Sequence, residues 1–177
     1  METTKNKLTH EEEIFFKKLI NYLDTKLYFF GSIQRDDYLP NSSDIDVDIF
    51  TENENSIITK MINFLNVERN QFKKIIWKLH NFNNKVIHGY KIMYKNTENN
   101  FSVEFSIYNE KIKNEILSEH NGKRIIPLYA TILLIILKFL FYTLHIIPSN
   151  WYIQGKRFIL STMIFKKEDN FVVIDNR

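Results

Sequence analysis

The run Ser43-Asp44-Ile45-Asp46-Val47-Asp48-Ile49-Phe50 alternates acidic with apolar residues, and its composition suits metal chemistry. In a strand, successive side chains point to opposite faces, so Ile45, Val47 and Ile49 face a core while Asp44, Asp46 and Asp48 share the other face. Same-face neighbours lie roughly 6–7 Å apart, close enough to repel wherever the surroundings are less polar than water. Such a row calls for positive charge. Mg²⁺ prefers carboxylate oxygens and is usually held by one or two protein carboxylates together with substrate phosphates. Two such ions about 4 Å apart stabilise both the attacking and the leaving oxygen of a phosphoryl transfer. Upstream, the apolar run Leu27–Phe30 ends in Gly31-Ser32. Glycine lets backbone approach a ligand closely or take a positive φ, and a helix starting there turns free N–H groups and the Ser32 hydroxyl toward a phosphate. Taken alone, the acidic alternation reads as an amphipathic strand with solvated acids. The Gly-Ser pair ahead of it favours a phosphate and metal site.

At Gly31, Ser32, Asp44 and Asp46 the chain resembles the DNA polymerase β-like nucleotidyltransferase superfamily, whose signature is an apolar strand, Gly-Ser, a spacer, then Asp-x-Asp between apolar residues. The wording Tyr38-Leu39-Pro40-Asn41-Ser42-Ser43-Asp44-Ile45-Asp46-Val47 is most similar to the terminal RNA nucleotidyltransferases, the poly(A) and poly(U) polymerases of the Trf and Cid type. Asp36-Asp37 stands where those enzymes have Gly-Leu, and the spacer is a residue longer. The resemblance implies that Asp44 and Asp46 bridge two Mg²⁺ (or Mn²⁺) ions and that Gly31 and Ser32 hold a nucleoside triphosphate.

Composition narrows the alternatives. The 177 residues are 44% hydrophobic and 15% aromatic, which describes a folded chain of one domain or two small lobes. A net charge of +3 permits nucleic-acid binding without demanding it. With no cysteine there is no disulfide framework, thiolate zinc site or Cys nucleophile. Only Gly31, Gly89, Gly122 and Gly155 are glycines, so neither a Walker loop nor a Rossmann fingerprint exists. The start, Met1-Glu2-Thr3-Thr4-Lys5, lacks an apolar h-region, and an intracellular, cytoplasmic location is the expectation.

The elements that must position the site follow from periodicity. Thr9-x-x-Glu12 is a capping box opening a helix to Asp24, with Phe16, Leu19, Ile20 and Leu23 on one face. Leu27–Phe30 is a short buried strand and 45–50 the acidic one. Ile58, Met61, Ile62 and Leu65 repeat at helical spacing, and Phe72, Ile75, Ile76 and Leu79 predict a further helix over 71–80. Residues 85–94 and 101–108 form an antiparallel pair across the polar loop 96–100. In the second strand Phe101, Val103, Phe105 and Ile107 share one face, and Ser102, Glu104, Ser106 and Tyr108 the other.

An isolated strand Glu is usually just exposed. The same resemblance places the third carboxylate on such a strand, and Val103-Glu104-Phe105-Ser106-Ile107 is similar to it. Glu104 is thereby expected to ligate the metal and to accept or orient the proton of the attacking hydroxyl. The family reserves no carboxylate at Asp48, which is read as a supporting or structural residue.

The apolar run 125–147 is long enough to span a bilayer. Lys138 near its middle, Pro127 and His145 weaken that reading, so the expectation is the central buried helix of a small helical lobe, without stable membrane insertion. Lys138-Phe139-Leu140 matches a family Lys-aromatic-Leu sequence whose lysine reaches the triphosphate, although a snorkelling lysine explains this residue equally well. Around Gly155, the segment 151–158 stands where the family binds phosphates and stacks a base. Lys156 and Arg157 are candidate phosphate contacts there, and Tyr152 or Phe158 a stacking residue. Residues 160–165 continue as a packed helix, and Phe171–Ile174 reads as a terminal strand or docking segment.

The expected architecture is an α/β (α+β) polymerase β-like palm over 1–120, with a small mixed sheet, followed by a short α-helical lobe over 121–177. The expected function is metal-dependent transfer of a nucleoside monophosphate, with ATP the expected donor, to a hydroxyl, foremost an RNA 3′-end, releasing pyrophosphate. The partners are a ribonucleoside triphosphate, RNA and, in a homodimer or larger complex, further protein. Two alternatives stand: AMP transfer to a protein or small molecule, and a catalytically silent subunit that keeps the fold and binds RNA or a partner.

Overall fold

The computed structural model describes residues 4–79, 81–122, 124–161 and 171–174. Helix α1 (His10–Leu23) opens on the capping box, with Thr9 Oγ1 accepting from the Glu12 amide and the Glu12 carboxylate accepting from the Thr9 amide. It closes on Asp24 in the left-handed region. Strand β1 (Leu27–Phe30) runs into a 3-10 turn at Gly31–Gln34, and β2 is Ile45–Thr51. Helix α2 (Glu54–Leu65) is capped by Asn53 and ended by left-handed Asn66. Strands β3 (Lys73–Leu79), β4 (Lys85–Asn96) and β5 (Phe101–Asn109) follow. Helices α3 (Lys113–Gly122), α4 (Leu128–Lys138) and α5 (Ser149–Phe158) precede a last strand, β6 (Phe171–Ile174).

The six strands form one sheet in the order β1-β2-β5-β4-β3-β6, with β2 and β5 parallel and the other pairs antiparallel. Ile45, Val47 and Ile49 of β2 join Val103, Phe105 and Ile107 of β5 in a core that also takes Phe16, Leu19 and Leu23 of α1 and Ile58, Met61 and Leu65 of α2. The opposite face divides in two. At one end Tyr28, Phe50, Trp77 and Tyr108 pack with Ile116 of α3; the other end carries the acids. Strand alternation thus separates a dry face from a chemical one, as the pattern in β2 and β5 predicts.

Two expectations are corrected. In place of the helix expected over 71–80, Lys73–Leu79 is strand, paired with β4 from Lys73↔Lys91 to Leu79↔Lys85. The apolar positions there fit both periods, since Ile75, Trp77 and Leu79 also alternate. Ladder pairing with β4 and burial of those three side chains override the helical period. The second correction concerns 125–147. Helix α4 has 11 residues, passes into a π turn at Phe139–Thr143, and buries only Ala130, Thr131, Leu134 and Lys138. It is a helix laid against the molecule along one stripe rather than the buried centre of a lobe. Among the described residues no helix is long and apolar enough to cross a membrane.

The terminal strand expected at Phe171–Ile174 is β6, which extends the sheet beyond β3. Most of the helix expected over 160–165 lies outside the described residues.

Gly89 in β4 marks a close contact across the sheet. A Cβ there would stand 2.5 Å from the Tyr108 ring and 2.8 Å from the Ile107 carbonyl oxygen. Gly89→Ala is therefore expected to lower stability by roughly 1–3 kcal/mol, the usual cost of overpacking a filled core, as read by urea unfolding monitored by circular dichroism.

Candidate active site

Strand pairing assembles the acids. Asp46 of β2 lies directly across from Glu104 of β5 and, on its other side, across from Phe30 at the end of β1. Gly31 follows at φ +68, and a Cβ on it would collide with the Asp46 carboxylate. Glycine is required there twice, for the left-handed backbone and for the missing side chain. Asp44 stands just ahead of β2, two residues from Asp46 and partly buried like it.

These residues line a cavity of about 230 Å³, together with Ser32, Ser43, Lys138 and Lys156. Of the residues singled out in the sequence, Gly31, Ser32, Asp44, Asp46, Glu104, Lys138 and Lys156 meet there. Arg157 is exposed and stands outside the lining. The cavity also takes in Arg35, Tyr142 and Tyr152. Tyr152 was a stacking candidate from its sequence context. Nothing local in the sequence marks Tyr142 for the cavity, whereas the Arg35-x-Asp37 charge pair in the spacer is a signal for Arg35.

The electrostatics follow from crowding. Burial, and then the neighbouring Glu104 charge, push the Asp46 carboxyl up to about 7, against partial relief from Lys156 and Lys91. Burial raises Asp44 as well, with Lys156 opposing. Glu104 is held by Lys91 of β4, Nζ to Oε1 at 2.6 Å, with both side chains about a quarter exposed. Fully buried Asp48 meets His120 of α3, Nε2 to Oδ2 at 2.9 Å. His120 is stacked on Phe30 and Trp77, a contact that holds α3 against the sheet away from the cavity.

A second cluster fixes the spacer loop. Asp37, wholly buried, accepts from Arg35 Nε at 2.7 Å and Nη2 at 3.1 Å, and its Oδ2 lies 3.1 Å from Lys138 Nζ. Lys138 also donates to the Asp37 carbonyl at 2.5 Å and to Ser43 Oγ at 3.0 Å. Burial pushes the Asp37 carboxyl up, but the two cations outweigh it and hold it below the ordinary 3.8. Lys138 is thus bound to the loop that presents Asp44, as well as lining the cavity.

A family model described as nucleotidyltransferase domain matches residues 12–120, more than half of the chain. The chain belongs to that family. No curated protein matches the sequence. The nucleotidyltransferase match contains Gly31, Ser32, Asp44, Asp46 and Glu104 and ends before Lys138 and Lys156. Membership supports transfer of a nucleoside monophosphate in general, and the mixed α/β sheet is consistent with the nucleotidyltransferase fold.

The donor set suits a hard divalent cation in type, since Asp44 and Asp46, when ionised, offer acceptor-only oxygens, and both carboxyls are raised first by burial, a penalty that a cation would offset. Two carboxylates suffice for Mg²⁺ when substrate phosphates supply further oxygens. Among the described residues no three acid or histidine side chains stand close enough to hold a metal by themselves, and Glu104 is turned to Lys91.

Two predictions follow from these charges. Asp37→Ala strands two buried cations, Arg35 at 7% and Lys138 at 2% exposure. It should cost about 3–5 kcal/mol in a urea titration at pH 7. For metal-free protein, the folded Asp46 carboxyl sits at about 7 against 3.8 unfolded, so ionisation is penalised only in the fold. That penalty is absent below about pH 3.8 and grows as pH rises toward 7. Asp46→Asn should therefore raise the melting temperature at pH 8 and leave it nearly unchanged at pH 4, in paired thermal scans with chelator.

Proposed function

We propose that the acceptor is the 3′-hydroxyl of an RNA and the donor a ribonucleoside triphosphate, with ATP preferred. One observation supports this most: Asp46 is paired with Glu104 and closed over by Gly31, in a cavity whose remaining wall is cationic and aromatic. The incoming O3′ attacks the α-phosphorus, a new O3′–P bond forms, and the bond to the pyrophosphate oxygen breaks. Glu104, released from Lys91, accepts the hydroxyl proton or orients it. Ser32 and Lys156 face the triphosphate and Lys138 braces the loop that presents Asp44, while Tyr142 and Tyr152 offer rings for a base to stack on. Asp44 and Asp46 would hold Mg²⁺ or Mn²⁺, which supplies charge neutralisation at the transferring phosphoryl group. Catalysis of this kind is mainly positioning and electrostatics.

The test is incubation of the protein and Mg²⁺ with each of the four labelled ribonucleoside triphosphates, with either an RNA oligonucleotide or cell extract present. The expected product is an RNA ladder, strongest with ATP. Asp46→Asn should lose activity by roughly a thousandfold or more while keeping its circular dichroism spectrum. A fully active Asp46→Asn protein would refute the metal assignment, and labelled protein bands in place of a ladder would redirect the acceptor to protein.

The Lys91–Glu104 ion pair favours one rival, a catalytically silent subunit in which lysine has taken the place of the cation. Calorimetry separates the two, since the silent subunit shows no Mg²⁺-dependent heat on titration with ATP.

A further inference from the structure

The turn Gly31–Gln34 carries the Gly31-Ser32 corner of the cavity. A 3-10 turn this short has poor hydrogen-bond geometry, and the last carbonyls of any helical turn find no donor within it. Its shape is therefore set by partners from elsewhere in the chain.

Those partners come from two segments distant in sequence. Asn6 Nδ2 donates to the Ile33 carbonyl at 3.0 Å and to the Arg35 carbonyl at 2.7 Å, and the Asn6 backbone amide donates to the Ile33 carbonyl at 3.1 Å. The neighbouring Lys5 amide reaches Gln34 Oε1 at 3.1 Å. From the other direction Arg124, just past α3, donates from Nη2 to the same Gln34 oxygen at 2.8 Å. Buried Gln34 passes the restraint on, its Nε2 donating to the Phe29 carbonyl at 3.1 Å, so that one side chain spans the turn from its last residue back to β1. Asn6 is itself fixed, by Leu8 in the main core and by Thr4 Oγ1 donating to the Asn6 carbonyl at 2.6 Å. Gly31 and Ser32 line the cavity, whereas Asn6 and Arg124 hold the turn from outside its lining. Both also fall outside residues 12–120 of the family match.

We infer that Asn6 and Arg124 are positioning residues for nucleotide binding, which touch no substrate and act by holding Ser32 where the triphosphate meets it. The inference rests on the reading of Gly31-Ser32 as the triphosphate corner. A preorganised contact does not have to move when its ligand arrives, and one displaced by about 1 Å loses up to roughly a hundredfold. The side chain at position 6 suits the task, because an amide NH2 carries two hydrogens, one for each carbonyl. An aspartate of the same shape would set a carboxylate against both.

The experiment is calorimetric titration of the full chain with a non-hydrolysable ATP analogue and Mg²⁺, well below each variant's melting transition. Asn6→Ala, Asn6→Asp and Arg124→Ala should each bind roughly tenfold or more weakly than wild type, and Arg124→Lys, which keeps a donor for Gln34, should recover most of the loss. A purely structural role would lower the melting temperature and leave the affinity of the folded protein unchanged. Asn6→Ala should also cost less in a Ser32→Ala background than in wild type, because the two act through one contact. Should the Asn6 variants not fold, the substitutions at exposed Arg124 carry the test. Wild-type affinity in the alanine variants, an Arg124→Lys protein as weak as Arg124→Ala, or an equal loss with and without Ser32 overturns the inference and leaves the proposed function standing. A wild type that gives no heat with the analogue overturns it together with the reading of the Gly31-Ser32 corner.

Discussion

The parallel pairing of β2 with β5 is the constraint on which the rest depends. It sets Asp46 beside Glu104 on the face opposite the helices α1 and α2, where burial and then the Glu104 charge raise the Asp46 carboxyl. Every polar feature nearby can be read as a response to that crowding. Lys91 and Lys156 bring compensating charge, and Gly31 keeps its own side chain out of the space Asp46 needs. Burying acids this close together is costly unless positive charge is brought to them, and carboxyls raised in this way mark a candidate functional site.

A second, structural charge cluster lies against the first. Asp37 is satisfied by Arg35 and Lys138 together, and it stands in the spacer where the Trf and Cid type sequence has an apolar Gly-Leu. The departure from that pattern has a consequence in the fold. It ties the spacer, and Ser43 just ahead of Asp44, to the inner face of α4. The lysine that the resemblance expects at the triphosphate is a strut between two parts of the chain.

Helices α4 and α5 form a thin outer layer. Their shared core holds Ala130, Leu134 and Ile159, with Leu137 and Leu160 partly buried beside it. That small core explains why so many large apolar residues of the segment remain exposed, and why it reads in sequence as more deeply buried than it is.

Much of this was legible from residue order. The capping box of α1 and the alternation in β2 and β5 depend on neighbours a few residues apart, so local physics determined the strand-like dry and wet faces, whereas the family was legible from the resemblance of Gly31-Ser32 and Asp44-x-Asp46 to its signature. What required the tertiary structure was anything settled by partners distant in sequence. Residues 71–80 fit both a helix and a strand until β4 supplied hydrogen bonds. Burial of 125–147 could not be judged without knowing how little surface the palm offers it. Only the folded chain brought Lys91 to Glu104, Lys138 to Asp37 and His120 to Asp48, because charge pairing across long sequence separations leaves no period in the chain for a reader to find.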